Sequence, residues 1–340
     1  MRLHWRHSLV RDEMRRWLSY PATHWRYTNK SLDLIPVPFH GGQNKRGVEL
    51  GAQALLSAGL EKQLVGLGWE VAVQTELQNK IHELNPVLGT EDPEFKFLNV
   101  RHALRVSESS RAVADAVEQA HKAGRLAVTI GGDHSIAMGT LAGTLRSFPE
   151  ACVVWVDAHT DINSPKTSLS GNMHGCVLSF LMGLDEAHET KHFDKWILPA
   201  LRPHKIVYIG VRDVDEAEKR FLREHRISAF SMHDIDRHGI GKTVQMALDA
   251  VNPHGTLPIH LSFDVDALDP VEAGSTGTPV RGGLTSREGH YITEELARTG
   301  QLVSIDLMEV NPSLGSPESV SNTVRLGCSL IRCSLGETLL

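Results

Sequence analysis

Cysteine is scarce in this chain: four residues in 340, Cys152, Cys176, Cys328 and Cys333, with no C-x-x-C pair. That argues against a disulfide framework and for free thiols in a reducing compartment, with the cytoplasm as the expected one. Positive charge is not in excess either. A net charge of −6 and a pI near 6.3 argue against a nucleic-acid or acidic-membrane partner. No apolar run approaches the length of a membrane span, and nothing resembles an apolar signal-peptide core. There is no Gly/Ser linker and no internal repeat, so one domain is expected over residues 32–340.

Residues 1–31 stand apart as an N-terminal extension, expected to be loosely packed. Met1 to Lys30 carry six arginines and three tryptophans against only Asp12 and Glu13. An Arg-rich, acid-poor leader makes a mitochondrial transit peptide the alternative to a cytoplasmic protein.

From residue 32 onward, short β-prone runs alternate with helical patterns. The runs are Leu32–Val37, Leu126–Ile130, Cys152–Val156, Ile206–Val211, Ile227–Ser231, Ile259–Phe263 and Leu302–Leu307. Between them, Ala112, Val113, Ala116, Val117 and Ala120 recur at helical spacing over Ser109–Ala123, ahead of Gly124. Thr285-Ser-Arg-Glu288 is a capping box. Such alternation predicts a three-layer α/β/α fold with a mostly parallel central sheet. Residues 85–100 read as a surface loop. Gly241-Lys-Thr243 is a false phosphate-loop signal, because Asp236 stands where the loop needs glycine.

Two strings carry the chemistry: Asp157-Ala-His159-Thr-Asp161, and Asp264-Val-Asp266 about a hundred residues later. Each follows an apolar run, and in an extended chain alternate side chains share a face. His134, in Gly131-Gly-Asp-His-Ser135, and Glu309 follow two other runs. In a parallel sheet, ligands gather outside the carboxyl ends of the strands. His134, Asp157, His159, Asp161, Asp264 and Asp266 are therefore expected to ligate metal. Imidazole and carboxylate without thiolate favour Mn²⁺ over structural Zn²⁺. Two such ions roughly 3.5–4 Å apart can share a water and deliver hydroxide at neutral pH, so the expected chemistry is hydrolytic. Glu309 is a candidate receptor for a cationic, planar group. His174, in a Gly-bracketed loop, is a candidate proton shuttle.

Together, Gly131-Gly-Asp-His-Ser135, Asp157-Ala-His-Thr-Asp161, Ser262-Phe-Asp-Val-Asp266 and Glu309-Val-Asn-Pro312 resemble the ureohydrolase family, from about Asp33 to about Leu335. Ser170-Gly-Asn-Met-His174, Val211-Arg-Asp-Val-Asp215, Asp236-Arg-His-Gly-Ile-Gly-Lys242 and Thr276-Gly-Thr-Pro-Val280 make it most similar to the arginases within that family. The resemblance implies two Mn²⁺ per subunit: one on His134, Asp157, Asp161 and Asp264, the other on His159 and Asp266, with Asp157 and Asp264 bridging. It implies His174, Glu309 and Asp161 as catalytic residues, with Glu309 holding a guanidinium near Thr278. Asn163, Ser168 and Ser170 would contact a substrate α-carboxylate, and Asp215 and Glu218 its α-amino group. The implied reaction converts L-arginine to L-ornithine and urea, in a homo-oligomer that is a trimer or hexamer. Cys176-Val177 departs from relatives that carry proline in the second place. The competing readings are a ureohydrolase for agmatine or another guanidino substrate, a silent regulatory homologue, and a one-metal zinc amidohydrolase.

Overall fold

The apolar runs become strands within a residue or so of their sequence limits. In the computed structural model, described for residues 25–84, 100–190 and 192–338, the strands are β1 (Ser31–Val37), β2 (Glu70–Val73), β3 (Leu126–Gly131), β4 (Cys152–Val156), β5 (Ile206–Val211), β6 (Ser228–Ser231), β7 (Ile259–Asp264) and β8 (Leu302–Met308). They form one sheet in the order β2-β1-β3-β8-β7-β4-β5-β6. Every described pairing is parallel, so all carboxyl ends emerge at one edge. β2 has no counterpart among the sequence runs: it is a four-residue edge strand, half exposed, with a weak pattern.

Both faces are covered. One side packs Leu32, Val128, Val154, Leu261 and Ile305 against the helices Gly51–Ser57, Ile240–Val251, Ser286–Arg298 and Pro317–Ser334. The other packs Ile35, Ala127, Trp155 and Tyr208 against Ala103–Lys122, Ala137–Ser147 and Val177–Met182. This is the three-layer arrangement expected from the alternation.

The helix read over Ser109–Ala123 begins earlier, at Ala103. Thr285 and Glu288 make both bonds of the capping box. Gly241-Lys-Thr243 lies inside an ordinary helix, Ile240–Val251. The segment assigned to the extension is described only from residue 25, and there it is well packed. Trp25 stands edge-on to Trp69 at 5.4 Å, Tyr27 is buried, and the Arg26 N–H donates to the Gly300 carbonyl at 2.9 Å. The rest of that segment, and the loop expected at 85–100 up to residue 99, lie outside the described residues.

Candidate metal centre and substrate cavity

The four central strands, β3, β8, β7 and β4, are consecutive in the sheet, and each ends at or shortly before a residue of the site. After β3 the chain doubles back through Gly131-Gly132. A side chain at Gly132 would run into the Phe39 carbonyl, so only glycine allows the approach. Asp133 then accepts from the backbone N–H of Ser135 at 3.0 Å and of Gly42 at 2.7 Å, and His134 follows.

At β4 and β7 the ligand strings are gathered by turns rather than by extended alternation, which corrects the geometry expected from the sequence. Asp157 Oδ1 accepts from the His159 N–H at 2.7 Å, and Asp264 Oδ1 from the Asp266 N–H at 2.8 Å. Both are aspartate turns, in which the side chain caps the backbone two residues on. Asp266 lies in the 3-10 turn Val265–Ala267. Asp161 takes φ 48° and Glu309 φ 65°, left-handed conformations that a non-glycine residue holds only at a cost of about 1–3 kcal/mol.

The aim is convergent. His134 Nδ1 lies 3.1 Å from Asp264 Oδ2, 3.2 Å from Asp157 Oδ2 and 3.3 Å from Asp161 Oδ2. His159 Nδ1 lies 3.3 Å from both Asp157 Oδ1 and Asp266 Oδ2. Among the described residues two groups could each hold a metal ion, His134–Asp157–Asp264 and Asp157–His159–Asp266, with donor atoms within 4.8 Å of one another in each; the predicted ligand Asp161 belongs to neither. Asp157 belongs to both. Trp155 braces the centre, stacking on His134 at 4.2 Å and 9° and donating its indole N–H to Asp157 Oδ2 at 3.0 Å. Thr278 donates to Asp266 Oδ2 at 2.9 Å. The Arg212 guanidinium donates to the carbonyls of Asp266, Ala267, Leu268 and Val280, tying down the backbone behind it.

Charge in this cluster is unbalanced. Burial, and then the neighbouring carboxylates, hold Asp161 and Asp264 well above the ordinary aspartate range, and Asp266 is raised by burial and Asp157. Burial opposes ionisation of Asp157 too, but hydrogen bonds with His134 and His159 outweigh it and keep its carboxyl below the usual range. Both imidazoles are buried, which disfavours their charge. For His134 the hydrogen bonds to Asp157 and Asp264, and for His159 the charge of Asp266, outweigh that and raise them. Four buried carboxylates around two imidazoles call for positive charge, and the thiolate-free donor set fits divalent cations.

Beside this centre lies a cavity of about 190 Å³, lined by His159, Asp161, Asn163, His174, Gly175, Asp213, Asp215, Glu218, Asp264 and Thr278. Of the predicted substrate contacts, Asn163, Asp215, Glu218 and Thr278 reach it. Ser168 and Ser170 do not: their hydroxyls accept from the N–H groups of Gly171 at 3.0 Å and Asn172 at 3.2 Å. Asn163 donates to Asp215 Oδ2 at 2.8 Å, and Asp215 and Glu218 close a capping box. Glu309, also a predicted substrate contact, is fully buried and does not line the cavity. Its Oε1 accepts from the His134 N–H and faces His174 Nδ1, both at 2.9 Å, and its Oε2 accepts from Gln43 at 3.4 Å. Burial opposes a charge on His174, and the bond to Glu309 more than offsets it, raising its pKa. Cys176, in the departing Cys176-Val177 pair, is fully buried and its thiol is pushed up to about 12, mainly by burial. It is inert.

Glu218 gives a pH prediction. Burial, reinforced by the Asp215 charge, raises it to about 7. A raised folded-state pKa contributes stability fully present below the ordinary value of 4.5 and lost as pH rises through about 7. Glu218→Gln keeps an acceptor for the Asp215 N–H and removes the ionisation. The variant is expected to gain about 2 kcal/mol over wild type at pH 8 and nothing at pH 4. Guanidinium unfolding at the two values measures it; an equal difference at both would contradict the assignment.

Asp213, Trp155, Arg212, Gln43 and Ser262 serve the site without having been singled out. Arg212 and Asp213 lie within Val211-Arg-Asp-Val-Asp215, so the motif signalled them. Trp155 reads as core in its apolar strand, and Gln43 meets Glu309 only through the tertiary fold.

Comparisons with known proteins point to one family. A family model described as "Arginase family" matches residues 30–336. The chain is 52% identical over 317 residues to the arginase of Glaciozyma antarctica, covering 92% of this chain and 90% of that one. It is 42% identical to the arginase of Saccharomyces cerevisiae, covering 92% and 97%. Among solved structures, arginase from Bacillus caldovelox superposes with a TM-score of 0.81 at 34% identity, covering 92% of this chain and all of the other. The cold-adapted arginase of Glaciozyma antarctica gives 0.72 at 44% identity, covering 92% and 96%.

Proposed function

The chain belongs to the arginase family of metal-dependent hydrolases, and from that premise we propose that it hydrolyses L-arginine to L-ornithine and urea with two Mn²⁺ per subunit. The observation that carries this reading is the pair of buried ligand groups sharing Asp157, set against a cavity whose far wall bears Asn163, Asp215 and Glu218. One ion would be held by His134, Asp157, Asp161 and Asp264, the other by His159, Asp266, Asp157 and Asp264. When bound, the two ions would supply Lewis acidity to a water and countercharge to the carboxylates.

The remaining work falls to this chain's own side chains. The Glu309 carboxylate receives the guanidinium, which pairs best with a bidentate, charged acceptor. Asn163 receives the α-carboxylate, and Asp215 and Glu218 receive the α-amino group. Asp161 lines the cavity and would help orient the water. The water oxygen bonds to the guanidino carbon, and the bond from that carbon to the chain nitrogen breaks. The water's two protons end on that nitrogen, which leaves as an ammonium and needs the first of them as the bond breaks. His174 has Nδ1 tied to Glu309, so Nε2 is the nitrogen that delivers it.

The family resemblance supports a trimer or hexamer. The four free, buried cysteines support a reducing compartment, the cytoplasm, with mitochondria as the alternative if residues 1–31 act as a leader. Metal analysis tests the centre. Two Mn²⁺ per chain after loading and gel filtration are expected, and one or none would contradict it. Asn163→Ala is expected to raise KM for L-arginine by roughly 10-fold or more with a smaller effect on kcat, as loss of a hydrogen bond to a charged group implies. An unchanged KM would remove Asn163 from the pocket.

A further inference from the structure

Central strands of a parallel sheet, covered on both faces, ordinarily run continuously apolar. β7 and β8 do not. Toward the helix Ala137–Ser147 they present His260 and Ser262, and Ser304 and Asp306, all essentially inaccessible. The register places His260 beside Ser304 and Ser262 beside Asp306. Asp306 Oδ2 is the hub: it meets Thr140 Oγ1 at 2.6 Å, His260 Nε2 at 2.8 Å and Ser262 Oγ at 3.3 Å. Ser262 Oγ in turn lies 2.9 Å from His134 Nε2. On the far side, His260 Nδ1 meets Thr144 Oγ1 at 2.9 Å. Asp306 Oδ1 has no hydrogen-bond partner among the described residues. A buried carboxylate so incompletely satisfied is a poor device for stability, since an apolar residue of similar size commonly does better.

We propose that Asp306, acting through Ser262, is a positioning residue that fixes the orientation and tautomer of His134. A carboxylate only accepts hydrogen bonds, so the Ser262 hydroxyl donates to Asp306. The Ser262 oxygen is then left to accept, and the proton of His134 sits on Nε2. Nδ1, the nitrogen 3.1–3.3 Å from Asp264, Asp157 and Asp161, is thereby presented with its lone pair free, the form a metal ligand requires. Trp155 stacked on the ring holds its plane but does not distinguish the two nitrogens; the Ser262–Asp306 link does. His260 and Thr140 fix the hub by donating to the same oxygen. The role rests on the metal reading given above.

The test is Mn²⁺ titration of the chelator-treated full-length protein, with free Mn²⁺ read by electron paramagnetic resonance. Ser262→Ala removes one hydroxyl and leaves Asp306 its bonds to Thr140 and His260. It is expected to weaken Mn²⁺ binding by about 10–100-fold, as loss of an outer-shell partner does, while the metal-free unfolding temperature stays at the wild-type value. Asp306→Asn keeps one acceptor oxygen without the charge and is expected to fall between wild type and Ser262→Ala. Wild-type affinity in either variant overturns the proposal, as does a loss of affinity matched by a fall in metal-free unfolding temperature, which marks a merely structural role. If wild type itself binds no Mn²⁺, the metal reading fails and the positioning role with it.

Discussion

Glu309→Gln is expected to lower kcat/KM for L-arginine by roughly 10²–10⁴-fold, the equivalent of breaking a buried ion pair worth about 3–5 kcal/mol. Glutamine keeps the volume and one acceptor oxygen, so the His134 N–H that now donates to Oε1 can still be satisfied. What it lacks is charge and a second acceptor for a planar guanidinium. It also removes the carboxylate that raises His174, so proton delivery to the departing amine weakens together with binding. Glu309 faces the His134 backbone and His174 Nδ1, not the donor atoms of the two ligand groups. Metal content should therefore stay at the wild-type value. Steady-state kinetics with parallel metal analysis measures both quantities. A variant within a few-fold of wild type would take Glu309 out of the guanidinium site; loss of metal along with activity would recast it as part of the metal centre.

Removing the metal is expected to be the largest perturbation of stability. Saturating two sites at about 100 times their dissociation constants contributes about 5 kcal/mol, or roughly 5–10 °C in unfolding temperature for a chain of this size. The sign of the pH trend follows from the shifts. Asp161, Asp264 and Asp266 are raised in the folded state, by burial first and neighbouring carboxylates second. Groups raised in this way contribute stability that is complete below the ordinary 3.8 and lost as pH climbs through their folded values. His134 and His159, raised as well, lose theirs in the same direction. Asp157, lowered, acts oppositely, at the acid end. The metal-free protein should accordingly weaken as pH rises above the ordinary aspartate range, and the gap between Mn²⁺-loaded and chelated samples should widen in the same direction. Calorimetry at several pH values checks it, and a gap that narrows with rising pH would contradict the charge balance described here.

Much of this was readable in the chain because parallel strands advertise themselves. Cys152–Val156 and Ile206–Val211 are strands with the limits their apolar runs give them, and once those runs are parallel, the residues following β3, β4, β7 and β8 must share an edge. The residues that cluster at that edge were thus identifiable while their local geometry was not. Asp157 and Asp264 cap the backbone two residues on, which period-two reasoning does not anticipate, and the left-handed turn at Asp161 is imposed by its surroundings. β2 escaped notice because Glu70–Val73 is short and half exposed. Trp25 and Tyr27 looked like part of a loose leader because their partners, Trp69 among them, are distant in sequence. The polar rows His260/Ser262 and Ser304/Asp306 lay inside what read as apolar runs, and only the strand register shows that they meet.

The most direct test of the account is urea release by the Mn²⁺-loaded protein, with L-arginine and agmatine assayed side by side. The site predicts rapid turnover of L-arginine and little of agmatine, because Asn163 has no carboxylate to bind, and Asp215 and Glu218 no α-ammonium, when the substrate lacks both. Faster turnover of agmatine than of L-arginine would contradict the amino-acid end of the pocket, and turnover of neither would contradict the hydrolytic reading as a whole.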